Sequence, residues 1–195
     1  MKAVLRALPS LLGSLVLVSP CLAADAPQAV ESEMSPAARA YYKQLESLHW
    51  VKGPTTVDVP GKSKLVVPEG YVFIDRDDTS KYLELNQNIP SGNEVMVAPK
   101  DMAWTAYLSF SEEGYVKDDE KIDADELLKA MQSNDKAENA ERMRRGWSEL
   151  HIVGWAVPPA YNSVNKRLEW ATTLESEGRR NVNFSTKVLG RRGHT

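Results

Sequence analysis

Residues 167–188 read RLEWATTLESEGRRNVNFSTKV. Arg167–Leu174 alternates, with Leu168, Trp170, Thr172 and Leu174 facing one way. Glu177-Gly178 marks a turn, and Arg180–Val188 returns with Val182, Phe184, Thr186 and Val188 on one side and Asn181, Asn183, Ser185 and Lys187 on the other. A period of two around a two-residue glycine turn predicts an antiparallel hairpin. Working outward, Ala103–Phe110 alternates in the same way. Lys62–Val67 and Tyr71–Asp75 are β-branched or aromatic runs flanking the turn-forming triplet Pro68-Glu69-Gly70. Glu94–Ala98 is a short strand ended by Pro99. Leu150–Val157 places Val153, Trp155 and Val157 on one face and is stopped by Pro158-Pro159. Strands outnumber helices, short turns join them, and no βαβ series of buried strands appears. The expected fold is α+β, a mainly antiparallel sheet with helices packed on one side.

Three helical segments complete the pattern. Ser35-Pro36 supplies an N-cap and a first-turn proline, after which Ala38, Tyr41, Tyr42, Leu45 and Leu48 share a face until Gly53-Pro54. Asp77-Asp78-Thr79 can cap a short helix carrying Tyr82, Leu83 and Leu85. Gly114–Trp155 is the longest stretch without a strand before its end. Asp123 with Glu126 starts a helix whose apolar stripe is Ala124, Leu127, Leu128 and Met131. Ser133-Asn134-Asp135 interrupts it, so one bent helix or two short ones are expected, the second with Ala137, Ala140 and Met143 as its apolar face. Glu138–Arg142 and Glu141–Arg145 are i,i+4 pairs, and Arg142, Arg144 and Arg145 crowd the last turn before Gly146. The segment is expected to connect two parts of one sheet.

The 195-residue chain carries a formal charge of −3. That balance speaks against nucleic acid as a partner, which needs a basic surface. Residues 1–24 have the secretory signal layout: Lys2 and Arg6, then the apolar run Leu8 to Val18, then small residues before Ala24. Cleavage there removes two cations and the single cysteine, Cys21. Residues 25–34 are a polar, flexible leader, and residues 35–195 form a single domain. The expected location is exported and periplasmic, or membrane-associated if the N-terminal segment is retained. No membrane span is expected in the mature chain once the signal is cleaved.

Catalytic patterns are sparse. His49, His151 and His194 lack zinc-ligand spacing, and no phosphate loop or nucleophile elbow is present. No cofactor is expected. The densest acidic cluster, Asp118, Asp119 and Glu120 with Asp123, Asp125 and Glu126, is a weak candidate for a hard cation, because EF-hand spacing fails. At a helix start such acids serve the helix dipole. The aromatics Trp147, Trp155, Tyr161 and Trp170 flank Pro158-Pro159. Trp155 and Trp170 lie on apolar strand faces and suit a core, whereas Trp147 and Tyr161 fall in loops. Arg179, Arg180, Arg191 and Arg192 make a basic end suited to acidic lipid headgroups or a partner, or to ordinary surface charge.

Motifs occur in order along most of the chain: GPTTVDV at 53–59, VPEGYVF at 67–73, NIPSG at 88–92, GYVKDDE at 114–120, DADELL at 123–128, NAERMRRGW at 139–147, VGWAVPP at 153–159, LEWA at 168–171 and VLGRRG at 188–193. Together they resemble a family of bacterial membrane-anchored proteins catalogued only as a domain of unknown function. The resemblance implies no catalytic residue. It implies a further segment and C-terminal membrane helices beyond LGRRG, so this chain reads as a shortened form. The resemblance further implies His and Asp in the stretch after Pro158-Pro159, where this chain has Ala160, Asn162 and Lys166.

The expected function is a non-enzymatic periplasmic or envelope module that binds an envelope protein partner or a ligand. The alternatives are a hydrolase or divalent-ion-dependent protein using the acidic cluster at 118–126, and an inactive truncated remnant. Asn139, Arg142, Trp147 and Tyr161 are the candidate binding residues, placed near the exit of the long helix. Helix energetics alone does not call for Asn139 or for Gly146-Trp147.

Overall fold

A computed structural model gives the fold and describes residues 34–115 and 122–195. The signal pattern and nearly all of the leader lie outside the described residues. Two compact units divide between Ala40 and Tyr41. Of the first, the described part is Met34–Ala40, where the Ala38 N–H donates to Ser35 Oγ at 3.1 Å as the Ser-Pro start predicts. The helix α1 spans Pro36–Glu46.

In the second unit the strands β1 (Val51–Lys52), β4 (Tyr71–Ile74), β5 (Val95–Pro99) and β6 (Ala106–Leu108) form an antiparallel sheet in that order. Alternation sorts its side chains between two faces. Val72, Ile74, Met96 and Ala98 pack with Leu45 and Leu48, and with Trp50 and Tyr82. Tyr82 belongs to α2, Arg76–Leu85. Phe73 and Val95 pack on the other side against Val57, Leu65 and Val67. These come from the hairpin of β2 (Thr55–Val59) and β3 (Ser63–Val67). Ile74, Met96 and Val67 are completely buried, and each such side chain contributes about 1.5–3 kcal/mol. In this unit the end of α1 and α2 therefore lie on one side of this sheet, and the β2–β3 hairpin lies on the other.

Several boundaries differ from the sequence reading. The first helix stops at Glu46 rather than at Gly53-Pro54, because the Trp50 indole N–H donates to Leu45 O at 2.8 Å and the His49 N–H to Asp78 Oδ2 at 2.6 Å. Those bonds turn the chain into β1. Gly53 permits the turn into β2, since a Cβ there would sit 1.9 Å from Pro68 O. β2 had no counterpart in the strand pattern. The cap of α2 is Asp75, whose side chain accepts from the Asp78 N–H, so Asp78 and Thr79 lie inside the helix and are buried.

The long helix α3, Ala124–Arg144, is continuous through Ser133-Asn134-Asp135. Asp123 caps it, accepting from the N–H groups of Asp125 and Glu126 at 3.0 Å each. It joins separate sheets rather than two parts of one. After it come β7 (His151–Asn162), β8 (Arg167–Ser176) and β9 (Arg179–Val188), all antiparallel. β7 runs through Pro158-Pro159 instead of stopping there. It lies at the edge of the sheet, where proline costs no ladder bond, and its register shifts between Ile152 and Gly154, Trp155 and Val157, and Val157 and Ala160. The middle shift separates Trp155 and Val157: they oppose the neighbours Thr172 and Ala171, so they face opposite ways. The β8–β9 turn is the predicted one, with φ of 51° at Glu177 and 72° at Gly178, as a type I′ hairpin requires.

Candidate functional site

The two buried residues of α3, Asn139 and Arg142, are polar. Gln132, Asp135, Asn139 and Arg142 recur at spacings of three and four and so share a face. Asn139 is 4% exposed, and its amide clamps one residue of the chain entering β7. The Leu150 N–H donates to Asn139 Oδ1 at 2.8 Å, and Asn139 Nδ2 donates to Leu150 O at 3.0 Å. Nδ2 also lies 3.3 Å from His151 Nδ1. Two residues on, the Ile152 N–H donates to Asp135 Oδ2 at 3.0 Å and Gln132 Nε2 donates to Ile152 O at 2.9 Å. Side chains thus stand in for a neighbouring strand. This explains why Ser133-Asn134-Asp135 does not break the helix: Asp135 is committed to β7 rather than to its own backbone.

Arg142, 8% exposed, forks between two carbonyls, Ser148 O through Nε and Gln87 O through Nη1, both at 2.7 Å. Burial lowers its pKa while Glu138 acts in the opposite sense. The expected Glu138–Arg142 pair gives way to these bonds. Glu141 does pair with Arg145, at 2.7 Å, and also with Arg144. Ala137 and Met143, read as an apolar face, are exposed. At the exit, Gly146 adopts φ of 74°, its N–H donates to Met143 O at 3.0 Å, and the Trp147 N–H donates to Arg142 O at 2.9 Å. That is a Schellman cap. The Trp147 ring lies 5.9 Å from the Arg142 guanidinium carbon and 5.1 Å from that of Arg145. Asn139, Arg142 and Trp147 are therefore brought together around the helix end. Tyr161 is not: it sits in the last turns of β7, on the order of 30 Å of strand from the helix exit. Asp118, Asp119 and Glu120 lie outside the described residues. Among the described residues no group of three or more His, Cys, Asp or Glu could hold a metal ion, and no helix is long and apolar enough to cross a membrane.

A different place offers space. An open groove of about 780 Å³ is lined by Tyr41, Tyr42, Trp50, Tyr82, Leu45, Val72 and Met102, with Lys52, Lys100 and Asp101 among its polar groups. α1, β1, α2 and the turn after β5 each contribute. Tyr82 meets Trp50 edge to face at 6.2 Å, and Tyr41 meets Tyr42 at 5.5 Å. The Tyr41 hydroxyl donates to Asn86 Oδ1 at 3.0 Å, which fixes its ring. Burial, aided by the neighbouring Tyr107 and Tyr41, pushes the Tyr82 pKa up to about 12, so its phenol remains a donor. The Lys100 N–H donates to Gly70 O at 2.9 Å and the Met102 N–H to Pro99 O at 2.9 Å, which holds this turn against β4. Among the described residues neither Lys52 nor Lys100 has a carboxylate partner, whereas Lys81, in a smaller depression between α1 and α2, is paired to Asp78 at 2.7 Å.

Sequence reading placed Tyr41, Tyr42, Leu45 and Trp50 on or near α1 but did not join them to Tyr82, Lys52 or Lys100. Only the pairing of β1 and β5 with β4 brings those residues together.

The comparisons with known proteins add a family. A family model described as "Protein of unknown function (DUF2167)" matches residues 51–195. No curated protein and no solved structure matches the chain.

Proposed function

We propose, from the premise that the chain belongs to the DUF2167 family, that it is a non-enzymatic module of the bacterial envelope which binds a ligand in the aromatic groove. The ligand is an amphipathic anion: an apolar chain or ring bearing a carboxylate, phosphate or sulfate. One observation carries this reading. Four aromatic rings and three apolar side chains wall a groove at which two ammonium groups have no carboxylate partner among the described residues. Rings and aliphatic walls take an apolar body, and a few placed polar groups fix its orientation. The donors here are ammonium and phenol groups, and Lys52 and Lys100 outweigh the one carboxylate in the lining, Asp101, so the balance favours an anion. The secretory layout of residues 1–24 supports an envelope location.

The test is a titration followed by tryptophan fluorescence, with dodecanoate, dodecyltrimethylammonium and a neutral dodecyl glucoside as probes. Dodecanoate should bind most tightly. Lys52→Glu with Lys100→Glu should weaken it roughly tenfold, about 1.4 kcal/mol, while leaving the neutral probe unchanged. Equal binding of all three probes, or none, overturns the reading.

A further inference from the structure

The outer edge of β9 stands apart from the groove. In the two-residue hairpin, Arg179 exchanges bonds with Ser176, so alternate residues from Arg179 onward face β8. The others, Arg180, Val182, Phe184, Thr186 and Val188, direct their N–H and C=O groups outward. Val188 confirms this parity: its N–H donates to Thr195 O at 2.8 Å, and the Thr195 N–H donates to Val188 O. From Arg180 to Thr186 the outward groups have no backbone partner among the described residues.

The side chains divide by the same parity. Val182 and Phe184 are 65% and 60% exposed and stand over Thr173 and Ala171. The intervening Asn181, Asn183 and Ser185 are uncharged. Their face is bounded by Arg179 and Lys187, which have no carboxylate partner among the described residues; Lys187 Nζ lies 3.1 Å from His194 Nε2. On the apolar face the end cation, Arg180, is neutralised by Glu175 at 2.7 Å. β9 contains three cations and no acid.

We infer that the outer edge of β9 is a strand-addition site for an extended partner segment in which apolar and acidic residues alternate. Such a segment supplies the missing backbone bonds. Its apolar side chains fall beside Val182 and Phe184, because directly opposed residues share a face, and its acids fall on the face bounded by Arg179 and Lys187. A second copy of β9 offers no acid and brings three more cations.

The test is residue-resolved amide exchange on the full chain, with an acetylated peptide of alternating Glu and Val as probe and an alternating Lys and Val peptide as control. The acidic peptide should slow exchange at Arg180, Val182, Phe184 and Thr186 at least tenfold, and the basic peptide should not. Val182→Pro removes one outward N–H without touching β8 and should abolish the effect. Phe184→Glu, an exposed change that keeps the fold, should weaken it at least tenfold. Equal protection by both peptides, protection that grows with protein concentration alone, or no protection overturns the inference.

Discussion

Replacing Asn139 by Ala removes the acceptor of the Leu150 N–H and the donor to Leu150 O, bonds of 2.8 and 3.0 Å. A buried backbone group left without a partner costs about 1–3 kcal/mol. Leu150 is half-buried, so water can partly replace the amide and the lower part of that range applies to each group. The expected loss is about 2–4 kcal/mol, a large fraction of an ordinary domain's 5–15 kcal/mol. Urea unfolding followed by tryptophan fluorescence measures it as a fall in midpoint at unchanged slope. Asn139→Asp separates the two bonds: it keeps the acceptor, loses the donor and sets a carboxylate beside Leu150 O, so it should be no better than Ala. Exchange at the Ile152 amide should rise as well, because Asp135 and Gln132 hold the next residue of the same clamp. A loss under about 0.5 kcal/mol for Asn139→Ala, the range of ordinary surface changes, would refute the claim that this side chain fastens α3 to β7.

Gly146→Ala should cost about 1–2 kcal/mol through backbone strain alone, since φ is 74° and an added Cβ meets nothing within 4 Å; the midpoint in urea should fall while Trp147 fluorescence in the folded protein is unchanged. Asp78 should confer acid sensitivity. Its pKa is lowered by the bond from Lys81 and then by that from the His49 N–H, so its contribution is present above the unfolded value, near 3.9, and is lost as pH falls through the lower folded value. Unfolding midpoints measured from pH 6 down to pH 2 should fall less steeply at the acid end for Asp78→Asn than for the wild type.

How far the sequence could be read depended on the range of the forces involved. The β8–β9 hairpin was legible because Glu177-Gly178 and a period of two are local. The caps at Ser35 and Asp123 were legible for the same reason. The cap at Asp75 was missed because three adjacent residues, Asp77, Asp78 and Thr79, had equal claims, and only burial of Asp78 and Thr79 decides among them. Pro158-Pro159 stops a central strand but not one at an edge with shifted register, and edge position is set by topology. The largest error lay on α3. Ala137 and Met143 are apolar yet exposed, and the face turned to β7 runs from Leu128 through Gln132 and Asp135, which bond Ile152, to the buried Asn139 and Arg142. That spacing was visible in the sequence. What concealed it was the rule that inward means apolar, which fails where a helix must satisfy a strand's backbone.

The two edges of the C-terminal sheet are treated differently, and the difference bears on function. An open strand edge invites pairing, and proteins blunt it with proline, bulges, charge or cover. On β7, Asn139, Asp135 and Gln132 occupy the backbone groups of Leu150 and Ile152, and three register shifts with Pro158-Pro159 disrupt the remainder of the strand. On β9 the register with β8 is unbroken over all ten residues, no proline occurs, and among the described residues only Val188 is covered, by Thr195. The cations at its ends repel a like strand, while the uncharged centre from Asn181 to Thr186 remains open among the described residues. If both edges needed only protection from aggregation, devices like those on β7 would serve equally on β9. A straight, unblocked edge with Val182 and Phe184 exposed instead fits a surface kept available to a partner of complementary pattern.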